Sequence, residues 1–87
     1  MFVVLVYDTA AERNPVVLRT CRKYLNWTQR SVFEGELSAA QYRALLAALR
    51  AHLDLDYDSI RVYRTRSPHL VETEWLGRAT GNQDSIL

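Results

Sequence analysis

Phe2-Val3-Val4-Leu5-Val6-Tyr7 opens the chain as an unbroken apolar run that stops on Asp8. β-branched and aromatic residues dominate it and it is too short for a helix, so it is read as a strand covered on both faces. Asp8 then emerges at the carboxyl end of that strand, at the rim of a sheet, where a metal ion or a phosphate can reach it.

The next element begins near Glu12 to Pro15, with Asn14 able to cap a helix and Pro15 tolerated in its first turn, where a missing N–H leaves nothing unpaired. Val17, Leu18, Cys21, Tyr24 and Leu25 share one face of that helix, and Arg19, Arg22 and Lys23, spaced i, i+3 and i+4, share another. Ser38-Ala39-Ala40-Gln41 has the form of a capping box, and Tyr42, Leu45, Leu46, Leu49 and Leu53 follow at helical spacing. Between the helices, Leu25 to Leu37 must supply strand structure; without Asn-Gly or Asp-Gly to mark a turn, one bent strand and two short ones are both open. Ser59 to Thr65 alternates Ile60 and Val62 with Arg61 and Tyr63, as a half-buried strand does, and Leu70 to Leu76 is a further candidate strand at an edge.

Two helices on one face of an antiparallel sheet make an α+β fold, a ferredoxin-like βαββαβ domain over residues 1–77 with an additional C-terminal strand, followed by a polar tail over 78–87 expected to be loosely held or to dock on a partner. Such a domain has helices for only one sheet face. Either Phe2, Val4 and Val6 or Val3, Leu5 and Tyr7 are then left toward water, and a second copy of the chain is the economical cover. The expectation is a homodimer.

At 87 residues the chain has room for one small domain, and its 48% hydrophobic content supplies the core. No run approaches a membrane span and no basic start with a cleavage site precedes the first strand, so a cytoplasmic protein with no membrane role is expected. Cys21 is the only cysteine, which excludes an internal disulfide and a cysteine-rich zinc site within one chain; it is read as apolar filler. Net charge is only +1, yet the charges are segregated. Arg13, Arg19, Arg22, Lys23 and Arg30 follow one another with no acid between them, and Arg61, Arg64 and Arg66 form a second acid-free group. Such segregation can produce a basic face on a nearly neutral molecule, suited to phosphate, and a merely solvated helix face is the alternative for Arg19, Arg22 and Lys23.

Several short motifs lie in order over most of the chain: Val6-Tyr7-Asp8-Thr9, Arg13-Asn14, Gln29-x-Ser31-Val32-Phe33-Glu34-Gly35, Ser38, and Asp58-Ser59-Ile60-Arg61-Val62-Tyr63. With these the sequence resembles the Cas-two family of CRISPR-associated proteins, which partner the Cas-one integrase during spacer acquisition and are described as endoribonucleases. The resemblance implies two sheets packed face to face, each final strand pairing with the other subunit, and the two copies of Asp8 meeting across the two-fold axis to bind Mg2+ or Mn2+. Tyr7, Asp8, Arg13 and Phe33 match family positions implicated in phosphodiester cleavage. Pro15 and Asn26-Trp27-Thr28 stand where some members carry basic residues, which weakens the nuclease reading more than the scaffold one.

Other constellations point less far. Asp54-x-Asp56-x-Asp58 opens like a calcium loop, but its sixth position is Ser59 and its twelfth Thr65. His52 and His69 have no ligand-spaced partners, and the three glycines are isolated. Three readings follow: a dimeric adaptor that bridges integrase subunits and supports double-stranded DNA, a metal-dependent endonuclease acting on RNA or duplex DNA through Asp8, and a ferredoxin-like RNA-binding module, which the lack of an aromatic recognition signature disfavours. The adaptor is the preferred one.

Overall fold

A computed structural model describes residues 1–81. The chain runs β1 (Phe2–Asp8), a 3-10 turn (Ala11–Arg13), α1 (Asn14–Arg22), β2 (Asn26–Gln29), β3 (Val32–Glu36), α2 (Ala39–Arg50), β4 (Ser59–Thr65) and a second 3-10 turn (Pro68–Leu70). The four strands form one antiparallel sheet in the order β2-β3-β1-β4. This is the ferredoxin-like arrangement, and β1 lies inside it with a ladder on each side.

Register then divides the strand residues between two faces. Leu5 stands opposite Phe33 on one side and Val62 on the other, and Val3 opposite Gly35 and Arg64. Val3, Leu5 and Phe33 are fully buried together with Val17 and Cys21 of α1 and Leu45 and Leu49 of α2, so both helices cover this face. Successive side chains point to opposite faces of a strand, so Phe2, Val4, Val6 and Asp8 belong to the other one, with Val32, Glu34, Arg61 and Tyr63. Between the two sets left open in the sequence, it is the even-numbered one that lacks a helix layer. Phe2, Val4 and Val6 are half-buried and Tyr63 is exposed.

The helix termini follow from local chemistry. Ser38 Oγ accepts from the Gln41 amide at 3.1 Å while Gln41 Oε1 accepts from the Ser38 amide at 2.8 Å, a complete capping box for α2. At α1 the expectation needs correcting: Asn14 is the first helical residue, the N-cap is Arg13 with no side-chain cap, and Asn14 Oδ1 instead accepts from the Thr9 hydroxyl at 2.6 Å. The 3-10 turn ahead of the helix makes this possible, because the Arg13 and Asn14 amides already donate to the Ala10 carbonyl.

Leu25 to Leu37 resolves into two strands. Arg30 and Ser31 form the turn between them, with Arg30 in the left-handed region at φ 39° and a register shift between Trp27 and Gln29. The Trp27 indole donates to the Arg30 carbonyl at 2.9 Å and holds a turn that no glycine marks.

The additional strand over Leu70 to Leu76 is not formed among the described residues. Pro68–Leu70 make a 3-10 turn, residues 71–75 join no ladder, and Leu70 and Leu76 are exposed. A strand exists only against a partner strand, and residues 73–76 instead line a shallow hollow over Thr28, Gln29, Val32 and Glu34. Beyond it, the Thr80 hydroxyl donates to the Thr28 carbonyl at 3.0 Å, so the first residues of the polar tail rest on β2 of their own chain. Residues 82–87 of that tail lie outside the described residues.

Candidate active site at the end of the first strand

Asp8 is the last residue of β1, opposite Ser59 in the ladder, and it is exposed. It caps neither following element, since the 3-10 turn starts after Ala10 and α1 after Arg13, each without a side-chain cap. A carboxylate with no local structural duty therefore stands at the strand end. It lines a hollow of about 240 Å³ with Val6, Tyr7, Ser59, Arg61 and Tyr63. Arg61 Nη1 donates to the Tyr63 hydroxyl at 3.3 Å, which places a cation on the same sheet face as Asp8.

The other residues of the expected catalytic set divide. Tyr7 and Phe33 come together, with ring centroids 6.3 Å apart, but on the helix side of the sheet, where burial, reinforced by neighbouring Cys21 and opposed by Arg22, pushes the Tyr7 phenol above its ordinary value. Phe33 is fully buried, so it acts as a core residue that supports Tyr7. Arg13 turns away from the hollow and pairs with Asp58: Nη2 donates to Oδ1 at 3.0 Å and Nε to Oδ2.

Sequence reasoning singled out Asp58 as a motif residue but missed its pairing with Arg13. Its side chain is fully buried, and besides Arg13 it accepts from the backbone amides of Ala10 and Asp54, both at 2.9 Å. Nothing in the sequence joins Asp58 to an arginine forty-five residues earlier; only the antiparallel pairing of β1 with β4 does. Arg13, first, and then the two amides hold the carboxyl far below its ordinary 3.8, against the opposing pull of burial. A carboxyl whose folded pKa is depressed contributes stability that is complete above its unfolded value and is lost as pH falls toward the folded one. The urea midpoint is therefore expected to decline as pH drops below about 4, and Asp58→Asn to remove part of that decline; an identical acid limb in the variant would contradict it.

The basic residues are not one surface. Arg19, Arg22 and Lys23 are exposed along and just after α1, and Arg30 is exposed at the β2–β3 turn. Arg61, Arg64 and Arg66, by contrast, do not form a single cluster. Arg61 is opposite Val6 on the open face, Arg64 is opposite Val3 and reaches the Tyr42 ring of α2 at 5.0 Å, and Arg66 follows the strand. Alternation along β4 separates what is contiguous in sequence. Cys21 is buried, its thiol pushed up to about 12 by desolvation, consistent with filler. His52 and His69 are both exposed.

Among the described residues no three His, Cys, Asp or Glu side chains gather as a metal-binding group. Among the residues lining the hollow, Asp8 is the one carboxylate. That donor suits a hydrated Mg2+ or Mn2+, but only with further oxygen ligands from outside the chain. No helix among the described residues is long and apolar enough to cross a membrane.

Comparison with known proteins bears on this geometry. The profile described as "CRISPR associated protein Cas2" matches residues 1–73. The chain is 83% identical over 87 residues to the "CRISPR-associated endoribonuclease Cas2" of Frankia alni, covering 100% of both, and 38% identical over 86 residues to the protein so named in Thermotoga maritima, covering 99% of both. Among solved structures, one titled "Crystal structure of cas2" superposes with TM-score 0.83 at 38% identity, covering 91% of this chain and 88% of the other. Streptococcus pyogenes Cas2 superposes with TM-score 0.72 at 30% identity, covering 86% and 100%. With its strand-end aspartate, its β2-β3-β1-β4 sheet and these relatives along its whole described length, the chain belongs to the CRISPR associated protein Cas2 family.

Proposed function

We propose that the protein is a dimeric adaptor of CRISPR spacer acquisition, which bridges Cas-one integrase subunits and supports the duplex DNA being integrated. The observation that carries this reading is the sheet face bearing Phe2, Val4 and Val6, which has no helix layer, while α1 and α2 bury Val3, Leu5 and Phe33 on the opposite face. A second copy covers that face, and a face-to-face dimer presents two exposed rows of Arg19, Arg22 and Lys23 to phosphate. The final segment, Val71-Glu72-Thr73-Glu74-Trp75, alternates Glu72 and Glu74 with uncharged residues and joins no ladder among the described residues, which suits it to an edge of the partner. The integrase partnership comes from the family.

A metal-dependent endonuclease acting on RNA or duplex DNA is the second reading. It is favoured by the name the relatives carry and by the exposure of Asp8. Two Asp8 carboxylates brought together by dimerisation would repel, and Mg2+ or Mn2+ would relieve that repulsion. When bound, such a cation supplies charge stabilisation and an activated water for phosphodiester hydrolysis. The chain's own contribution is to hold Asp8 at a fixed strand end.

Asp8→Asn separates the two. The amide keeps the shape of the carboxylate and loses its charge. In the adaptor reading the purified wild type shows weak or undetectable Mg2+-dependent cleavage, and the variant still dimerises, binds the integrase and supports integration in a reconstituted assay. Robust wild-type turnover that the variant abolishes, together with loss of integration, would establish the nuclease reading instead.

A further inference from the structure

We propose that Asp58 is a positioning residue for the strand end bearing Asp8, and that it holds Arg13 as part of that frame instead of leaving it to phosphate. The buried carboxylate lies between the loop that follows β1 and the loop that precedes β4. Oδ1 accepts from the Ala10 amide and Arg13 Nη2, and Oδ2 from the Asp54 amide and Arg13 Nε. An ionised carboxylate has about four acceptor sites, so this one is saturated. It has no lone pair left for a cation, which removes Asp54-x-Asp56-x-Asp58 as a calcium loop.

The connection to Asp8 is short on both strands. Ala10 lies two residues beyond Asp8, and Asp58 immediately precedes Ser59, the ladder partner of Asp8. One carboxylate thus ties together the two chain segments that meet at the hollow. The Arg13 side chain is only 25% exposed, and its guanidinium lies 5.9 Å from the Tyr57 ring centroid. A phosphate would have to draw Arg13 out of a two-point, charge-assisted pair and leave a buried carboxylate without its partner, which opposes such a contact. The family resemblance puts Arg13 in the chemistry; the geometry gives it to Asp58.

The inference rests on the proposed cation-binding role of Asp8 only for its effect on metal affinity. The test uses the full chain, with amide hydrogen exchange, Mn2+ titration by NMR and the salt dependence of binding to a short duplex. In Asp58→Asn the Ala10 and Asp54 amides are expected to exchange faster while those of Leu5 and Phe33 stay protected, and Mn2+ broadening of the Asp8 amide to need about ten times more metal than in the wild type. Arg13→Gln is expected to release the same two amides with the slope of log K against log salt unchanged, whereas Arg19, Arg22 and Lys23 changed together to alanine flatten it. A slope that falls by about one in Arg13→Gln marks a phosphate contact and overturns the proposal. Undisturbed exchange at Ala10 and Asp54 in that variant overturns it as well. Should Asp58→Asn fail to fold, Arg13→Gln carries both measurements. Absence of any Mn2+ effect on wild-type Asp8 removes the cation reading of Asp8 alone, and the exchange and slope still decide the role of Asp58.

Discussion

Val4→Glu is expected to yield a folded monomer. Val4 sits in the middle of β1 on the face without helices, flanked in the ladders by Glu34 and Tyr63. In one chain a glutamate there reaches water past its neighbours, so the fold survives. In a face-to-face dimer it is buried without a partner, at a cost of several kcal/mol, enough to raise the dissociation constant by a factor on the order of 100 to 1,000. Light scattering should move from about twice the 10.1 kDa chain mass to the chain mass itself, with far-UV circular dichroism unchanged. The contrast with Leu5→Glu is diagnostic: Leu5 is fully buried between sheet and helices, so a charge there should abolish folding altogether. A Val4→Glu protein that remains dimeric would mean the open face is not the interface, and the adaptor geometry would have to be rebuilt on another surface.

Phe33→Ala is expected to cost about 3 to 5 kcal/mol of folding stability. Phe33 is among the largest fully buried side chains, it stands opposite Leu5 and Trp27 in its two ladders, and its ring packs against Tyr7. Removing the ring leaves a cavity that two flanking strands cannot close. For a domain whose total stability lies in the range of roughly 5 to 15 kcal/mol, that is a large share. Urea unfolding should show a much lower midpoint. The same variant serves a functional purpose, because Phe33 matches a family position tied to the chemistry: if activity per folded molecule is retained, its role is structural support of Tyr7. A stability change under 1 kcal/mol would contradict the packing described here.

Much of this was legible in the sequence because it is written in short-range patterns. The first strand is a short run without a polar break from Phe2 to Tyr7, and the Ser38 box and the leucine stripe of α2 are local codes for a helix start and a buried face. What stayed illegible depends on a local side-chain contact that no turn motif encodes, on contacts between distant residues, or on an absent partner. The Arg30-Ser31 turn lacks the usual glycine because the Trp27 indole fastens it. The pairing of Arg13 with Asp58 spans forty-five positions and exists only once β4 lies beside β1. Basic residues contiguous in sequence fell on opposite faces because β4 is a strand, while the similarly dense row on α1 stayed together because i, i+3 and i+4 share a helix face. The candidate strand over Leu70 to Leu76 has strand-like composition but joins no ladder among the described residues.

The sheet ends on β4 at one side, seven residues long, against four for β2 at the other. An uncovered edge of that length is a template for indiscriminate strand addition and for aggregation. Arg61, Arg64 and Arg66 make it selective. Two β4 edges set against each other bring like charges together along the seam, which penalises self-association, whereas a segment carrying acids at alternate positions, as Glu72 and Glu74 are placed, meets no such penalty. By this charge argument the arginines that first read as nucleic-acid contacts are expected to disfavour edge-to-edge pairing of β4 with a second β4.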